Sequence, residues 1–329
     1  MAHLTLEQRY KIQTLREEGL SLKEIAEKVG KDKSVISREL QRNCDKRNGA
    51  YRADLAQRKY RERLEQKPKS LKFTEQIKET VTHFLQKKYS PEQIVGRCKL
   101  EGKPYVSLET IYQYVWADKR QKGKLYEHLR HRGRKYRRRG AAKDSRGRIR
   151  DTISIDLRPP EVELKNRFGD LEMDTVVGKN HKGAILTIND RVTKLCWIKR
   201  LTGREAEPLK AATVEILTPI KDKLKTITVD NGKEFAEHLA ITKELNIPIY
   251  FAHPYHSWER GANENMNGLI RQYLPKGSSF ENLTEERVLY IQEELNNRPR
   301  KMLNYLTPKE YALANFGIEI CGLTGRLHL

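Results

Sequence analysis

The chain has 329 residues, of which 33% are charged and 37% hydrophobic, a size and balance that imply a soluble, globular protein of two or three units. Lys and Arg exceed Asp and Glu by 65 − 44 = 21, so a polyanionic partner is expected, nucleic acid ahead of an anionic membrane surface. No apolar run approaches the roughly 18 residues of a membrane span, and the opening MAHLTLEQRYKIQ lacks the apolar core of a secretory signal, so a cytoplasmic protein is expected.

Residues 4–43 read as three short helices. Ile12 and Leu15, then Ile25 and Val29, then Ile36 and Leu40 mark successive apolar faces. Ser21 with Glu24 three residues on fits a capping box, and Gly30 breaks the chain before Lys33 restarts it. This is the helix-turn-helix pattern, which lays its last helix in the major groove of double-stranded DNA. That helix would present Lys33, Ser34, Ser37, Arg38 and Arg42. The reading makes residues 1–48 a DNA-binding domain and residues 49–72 a charged helical connector. The bland alternative is a three-helix bundle for protein contacts.

Residues 73–118 repeat the pattern. Ser90, Pro91 and Gln93 suit the cap, first and third positions of a helix, Gly102 and Pro104 end it, and Ser107 starts another carrying Ile111, Tyr112, Val115 and Trp116. Next, residues 119–157 are strongly basic. From Arg130 to Arg150 there are eleven Lys or Arg and one acid, Asp144. Such a segment is either a solvated linker or an arm that tracks phosphates, with Arg137, Arg138 and Arg139 at its centre.

After Asp151 the texture changes. GDLEMDTVVG, GAILTIND and KLCWIKRL are strand-sized runs, followed by a helix, the strand KTITVD, a helix, the strand IPIYFA and a further helix. This order predicts an α/β core over residues 158–316, with a mixed five-stranded sheet and helices on both faces, and a tail over 317–329. Thr307, Pro308 and Glu310 are placed to start its final helix.

Cys44, Cys98, Cys196 and Cys321 are far apart, so neither a zinc knuckle nor a redox pair is indicated. His253 and His256 form an H-x-x-H, but Pro254 intervenes and no Cys pair follows, which weighs against a structural metal site. The acids are more informative. Asp174 lies in the first strand of the core, Asp230 ends the fourth, and Glu264 sits on the helix after the fifth. If the first and fourth strands are neighbours, these three can converge. Converging carboxylates repel one another unless a cation such as Mg²⁺ joins them, and two such ions serve in-line displacement at phosphorus. Each acid also has a plainer reading: Asp-Asn-Gly at 230–232 is a common turn, and Asp170, Glu172 and Asp174 share one strand face, so the ligand among them is not fixed by alternation alone. Glu264, Gly268 and Arg271 share a helix face by spacing.

The motifs GDLEMDTVVG, TVDNGKEF and YFAHPYHSWERGANENMNGLIRQYLPKG, with the amino-terminal LTLEQRYKIQTLREEGLSLKEIA and SVISRELQRN, resemble the bacterial insertion-sequence transposases of the IS-thirty family over nearly the whole chain. The resemblance implies a ribonuclease H-like core of the DDE class, related to retroviral integrases. It assigns Asp174, Asp230 and Glu264 as catalytic metal ligands, for two Mg²⁺ ions with Mn²⁺ as a substitute. DLEMD departs from the family pattern of an aromatic residue and a Gly before the first Asp, which keeps Glu172 beside Asp174 as a candidate. Arg271 and Lys276 would face DNA phosphate. The implied partners are the terminal inverted repeats of an insertion sequence, target DNA, and a second copy of the chain in a homodimer or larger assembly. The implied setting is the bacterial cytoplasm, at the nucleoid. The rivals are a regulator that keeps the helix-turn-helix without catalysis, and a nuclease that cuts without joining.

Overall fold

Thr5 and Ser21 each close a capping box, and Asp32 accepts from the Ser34 N–H at 2.7 Å. These caps start α1 (Leu6–Glu17), α2 (Leu22–Val29) and α3 (Lys33–Asn43). Gly30 ends α2 in the left-handed region, at φ 67°, where a side chain would be strained. α4 (Ala53–Gln66) completes the unit. Ile12, Leu15, Ile25, Val29, Ile36 and Leu40 are all buried in its core, together with Tyr51 and Ala56. Arg9 is buried too, and pairs there with Glu39 at 2.8 Å.

The computed structural model describes residues 3–66, 73–132, 149–203, 205–254, 256–321 and 326–328. It divides into two compact units, residues 1–72 and 73–329. Among the described residues, no helix is long and apolar enough to cross a membrane.

The second unit begins with α5 (Glu75–Gln86), α6 (Pro91–Leu100) and α7 (Leu108–Arg120), packed around Val81, Leu85, Ile94, Ile111 and Val115. Ser90 and Gln93 form the capping box read from the sequence, and Ser107 caps α7. Then follow β1 (Ile153–Ser154), α8 (Glu161–Leu164), β2 (Asp170–Val177), β3 (Ala184–Asp190), β4 (Cys196–Leu201), α9 (Ala206–Leu217), β5 (Thr226–Val229), α10 (His238–Leu245) and β6 (Ile249–Phe251). The chain continues through α11 (Gly261–Ile270), α12 (Glu285–Asn296) and α13 (Pro308–Phe316) to a separate hairpin of β7 (Glu319–Cys321) and β8 (Arg326–His328).

The main sheet has the order β1-β6-β5-β2-β3-β4. β2, β3 and β4 are antiparallel neighbours, whereas β5 joins β2, β6 joins β5, and β1 joins β6 in parallel. The five strands read from the sequence are present in a ribonuclease H-like order, and the sheet has one strand more. The addition is β1, in register with Tyr250 and Phe251. Two residues are too few to show alternation, and they fall in the stretch read as linker.

Pleating divides the sheet into two chemically different faces. Leu171, Met173, Leu186, Ile188, Ile227 and Val229 pack with Leu209 of α9 and Ile241 of α10. The other face packs Val176, Ile185 and Ile198 under Met266 and Ile270 of α11 and Ile291 of α12. Along β2 this second face is polar at Asp170, Glu172 and Asp174 and turns apolar at Val176.

α6 is fixed to the core. Arg97 donates through Nη1 and Nη2 to the two carboxylate oxygens of Glu310, at 2.6 and 2.7 Å. Tyr89 Oη donates to the Asn297 carbonyl at 2.9 Å, and Gln93 Nε2 to the Pro299 carbonyl at 2.7 Å. Gly96 permits the approach: a Cβ there would lie 2.2 Å from the Tyr305 ring.

Candidate active site

β2 carries three acids on one face, and each has a different surrounding. Asp170 pairs with Arg167 at 2.8 Å and accepts from Thr226 Oγ1. Glu172, 1% exposed, pairs with Arg191 at 3.2 Å and accepts the Asn263 N–H at 3.0 Å. It thereby satisfies one of the amides that a helix start leaves without an intrahelical partner, here in the first turn of α11. Asp174 faces the end of β5, where the chain turns at Asp230.

Asp174 Oδ1 accepts the Thr175 N–H at 2.8 Å, and Oδ2 accepts from Asn267 Nδ2 at 2.8 Å. Asp230 Oδ1 accepts the Gly232 N–H at 2.9 Å. Arg260 lies across both carboxylates: Nη2 donates to Asp230 Oδ2 at 3.2 Å, and Nη1 is 3.6 Å from Asp174 Oδ2. Burial pushes the Asp174 carboxyl up to about 6. Arg260 opposes that rise, Asp230 adds to it, and the Thr175 N–H and Asn267 amide oppose it. Two carboxylates this close need a shared positive charge, which Arg260 supplies here.

The donor set also suits a hard divalent cation. Asp174 and Asp230 offer carboxylate oxygens to the same side chain, Arg260, and carboxylate oxygen is the ligand type that Mg²⁺ and Mn²⁺ select. Arg260 fits the same oxygens less well, since its buried Nε and Nη1 have no hydrogen-bond partner.

Glu264 stands apart from this pair. It is exposed on α11, close to Arg130, whose guanidinium burial pushes below its ordinary pKa while the Glu264 charge partly opposes that fall. Among the described residues, one group of three His, Cys, Asp or Glu side chains has ligand atoms within 4.8 Å of one another, and it is His253, His256 and Glu259, not the acidic triad. Glu264 is nonetheless three residues before Asn267, whose amide reaches Asp174, so the two share a flank of the helix.

Lys33, Ser34, Ser37, Arg38 and Arg42 are all exposed along α3. Arg38 donates through Nη2 to Ser34 Oγ and through Nε to the Ser34 carbonyl, both at 2.9 Å. Arg271 is half-buried at the end of α11 and donates to the Val177 carbonyl at 3.0 Å. Lys276 is exposed on the turn that follows. Arg137, Arg138 and Arg139 lie outside the described residues. Arg130, the first residue of the basic run, donates to Asn265 Oδ1 at 2.9 Å and runs beside Gly268 on α11.

Two partners in the site escape a reading of the sequence alone. Arg260 belongs to a 3-10 turn, Ser257–Arg260, whose winding differs from that of α11. The available signal is a cation four residues before Glu264 in a segment rich in acids and amides. Asn267 is visible there only as one amide among several.

Residues 2–43 match the family model described as "Helix-turn-helix domain". Over 308 residues the chain is 54% identical to the transposase for insertion sequence element IS4351 of Bacteroides fragilis, covering 94% of each. It is 33% identical over 311 residues to the transposase for insertion sequence element IS1086 of Cupriavidus metallidurans, covering 92% of this chain and 91% of that one. It is 35% identical over 322 residues to the transposase InsI for insertion sequence element IS30A of Escherichia coli, covering 94% of this chain and 83% of that one. Identity of 33–54% over more than nine tenths of this chain shows that it belongs to the IS-thirty family of insertion-sequence transposases.

Proposed function

We propose that the protein binds the terminal inverted repeats of an insertion sequence, cuts one strand at each end and joins the freed 3′-hydroxyl to target DNA. The observation that carries this reading is that Arg260 reaches both Asp174, in the middle of β2, and Asp230, directly after the adjacent parallel strand β5. Asp174, Asp230 and Glu264 would hold two Mg²⁺ ions, or Mn²⁺, which supply the positive charge that favours an attacking and a leaving oxygen at phosphorus.

The chain's own groups do the rest. Asn267 fixes the rotamer of Asp174 and favours its ionised form. Arg260 balances the two carboxylates before DNA arrives and is placed to meet a phosphate when it leaves them. Arg271 and Lys276 lie farther along the same side and contact the backbone of the bound end. Ser34, Ser37, Arg38 and Arg42 read base edges in the major groove, while the basic arm around Arg137, Arg138 and Arg139 adds affinity without sequence preference. Residues 73–118, fastened through Arg97 and Glu310, would carry a second DNA contact in fixed relation to the core. Two copies bridging two ends complete the assembly.

Incubation with labelled element ends and Mg²⁺, followed by mapping of products, tests the reading. Cut ends and joined products are expected. Cutting without joining of a precut end would reduce the protein to a nuclease, and binding with neither product would reduce it to a regulator.

A further inference from the structure

The segment between β6 and α11 gathers a set of side chains that the phosphodiester chemistry does not use. His253 Nδ1 is 2.8 Å from Glu259 Oε1, and His256 Nδ1 is 3.2 Å from the same oxygen. Ligand atoms of all three residues lie within 4.8 Å of one another. Three donors around a tetrahedral ion at about 2.0–2.1 Å sit about 3.3–3.4 Å apart. The two contacts to Glu259 therefore need to open by at most about half an ångström to admit one.

The surroundings of the three also suit a metal. His253 Nε2 lies 3.0 Å from Asp156 Oδ2. A ligating imidazole commonly gives its other N–H to a carboxylate, which fixes the tautomer and turns the free nitrogen to the ion. Glu259 Oε2 accepts the His253 N–H at 2.8 Å, holding the carboxylate with Oε1 toward both rings. The donors are two imidazole nitrogens and one carboxylate oxygen, a borderline set that favours Zn²⁺, Co²⁺ or Ni²⁺ over Mg²⁺.

We propose that His253, His256 and Glu259 form a transition-metal site of the Zn²⁺ class, with Asp156 orienting His253 and one coordination position left for water or an anionic oxygen. The proposal departs from the sequence-based argument against the H-x-x-H, because the third ligand would be supplied by Glu259 rather than by a Cys pair. Ligation through Nδ1 needs each ring neutral with its proton on Nε2, so a ring that carries a second proton releases it to solvent on binding. The ion would fasten the segment directly before Arg260, and with it the guanidinium that spans Asp174 and Asp230. The site is separate from those two aspartates and stands whether or not they act in catalysis.

The test is Co²⁺ titration of the full chain, prepared without a polyhistidine tag, in excess Mg²⁺ to hold oxygen-only sites, followed by visible ligand-field absorption. One Co²⁺ per chain is expected, both in the wild-type protein and in an Asp174→Asn/Asp230→Asn variant. His256→Gln and Glu259→Gln should each weaken binding at least about tenfold, and Asp156→Asn about 10–100-fold. His256 is 42% exposed and Asp156 68% exposed, so should one variant fail to fold, the other carries the test. An unchanged signal in these variants, loss of the signal in the double aspartate variant, or no Co²⁺ bound by the wild-type protein overturns the proposal.

Discussion

Asn267 Nδ2 donates to Asp174 Oδ2 at 2.8 Å, tying α11 to the central strand of the sheet at the acid with the raised pKa. Because this bond favours the ionised carboxylate, Asn267→Ala should move the acid limb of a cleavage-rate profile to higher pH. The rate near neutrality should fall about 10–100-fold, in line with the loss of an outer-shell partner. A rate loss with an unmoved pH profile would assign Asn267 to DNA contact instead.

Asp174 also makes stability depend on pH. Its carboxyl titrates near 6 in the folded chain and about 4 when unfolded, so the folded state holds the proton more tightly. The contribution of Asp174 to stability without divalent cations should therefore fall as pH rises from about 4 to about 6, then level off. At pH above this window Asp174→Asn should be more stable than wild type by on the order of 1–3 kcal/mol. Thermal melts in chelator across this range check it; equal slopes for the two proteins would contradict it.

Arg260 occupies the oxygens that a divalent ion would use. Arg260→Gln should raise Mg²⁺ affinity about 5–10-fold, on the order of 1 kcal/mol of relieved competition. Calorimetric Mg²⁺ titration measures this directly. A weaker affinity in the variant would make Arg260 a support for the metal site rather than its competitor.

The junction of α6 with the core rests on Arg97, Glu310 and the space above Gly96. Gly96→Ala drives a methyl group into the Tyr305 ring and should cost about 1–3 kcal/mol. A double-mutant cycle on Arg97→Ala and Glu310→Ala should show a coupling of about 1–3 kcal/mol. Additive effects would mean that the two do not act as a pair.

On α3, Arg38 and Arg42 are exposed and support no core residue. Replacing either with Ala should leave the melting temperature unchanged and cost about 1–3 kcal/mol of discrimination between the element end and unrelated DNA. Neutralising Arg137, Arg138 and Arg139 together should instead weaken binding to all DNA and flatten the slope of log K against log salt by up to about 3. Competition binding at several salt concentrations separates the two effects.

The strands around the site were legible because each is a run of apolar or alternating residues with turn signals on both sides, and the β-β-β-α-β order makes the strand of Asp174 a neighbour of the one that Asp230 ends. Helix starts were legible for a local reason: a cap such as Ser90 with Gln93 acts within four residues. β1 was not, because two residues carry no period. Neither was the bond of Arg97 to Glu310, 213 positions apart, nor the packing of Tyr305 over Gly96. The surroundings of Asp170, Glu172 and Asp174 separate the acids that alternation leaves equivalent, and those partners, Arg167, Arg191 and Asn267, come from three different elements. Arg260 and the His253 cluster depend on how a short 3-10 turn winds, which single side chains do not announce.

The most direct measurement compares Asp174→Asn, Asp230→Asn and Glu264→Gln with wild type on precut and uncut labelled ends, with cleavage and binding read on the same substrates. The expected result is loss of cutting and joining by at least about a thousandfold in each variant, with end-binding affinity held within about twofold. Wild-type cutting by Glu264→Gln, or binding lost in step with cutting in either aspartate variant, would contradict a shared carboxylate site on this sheet.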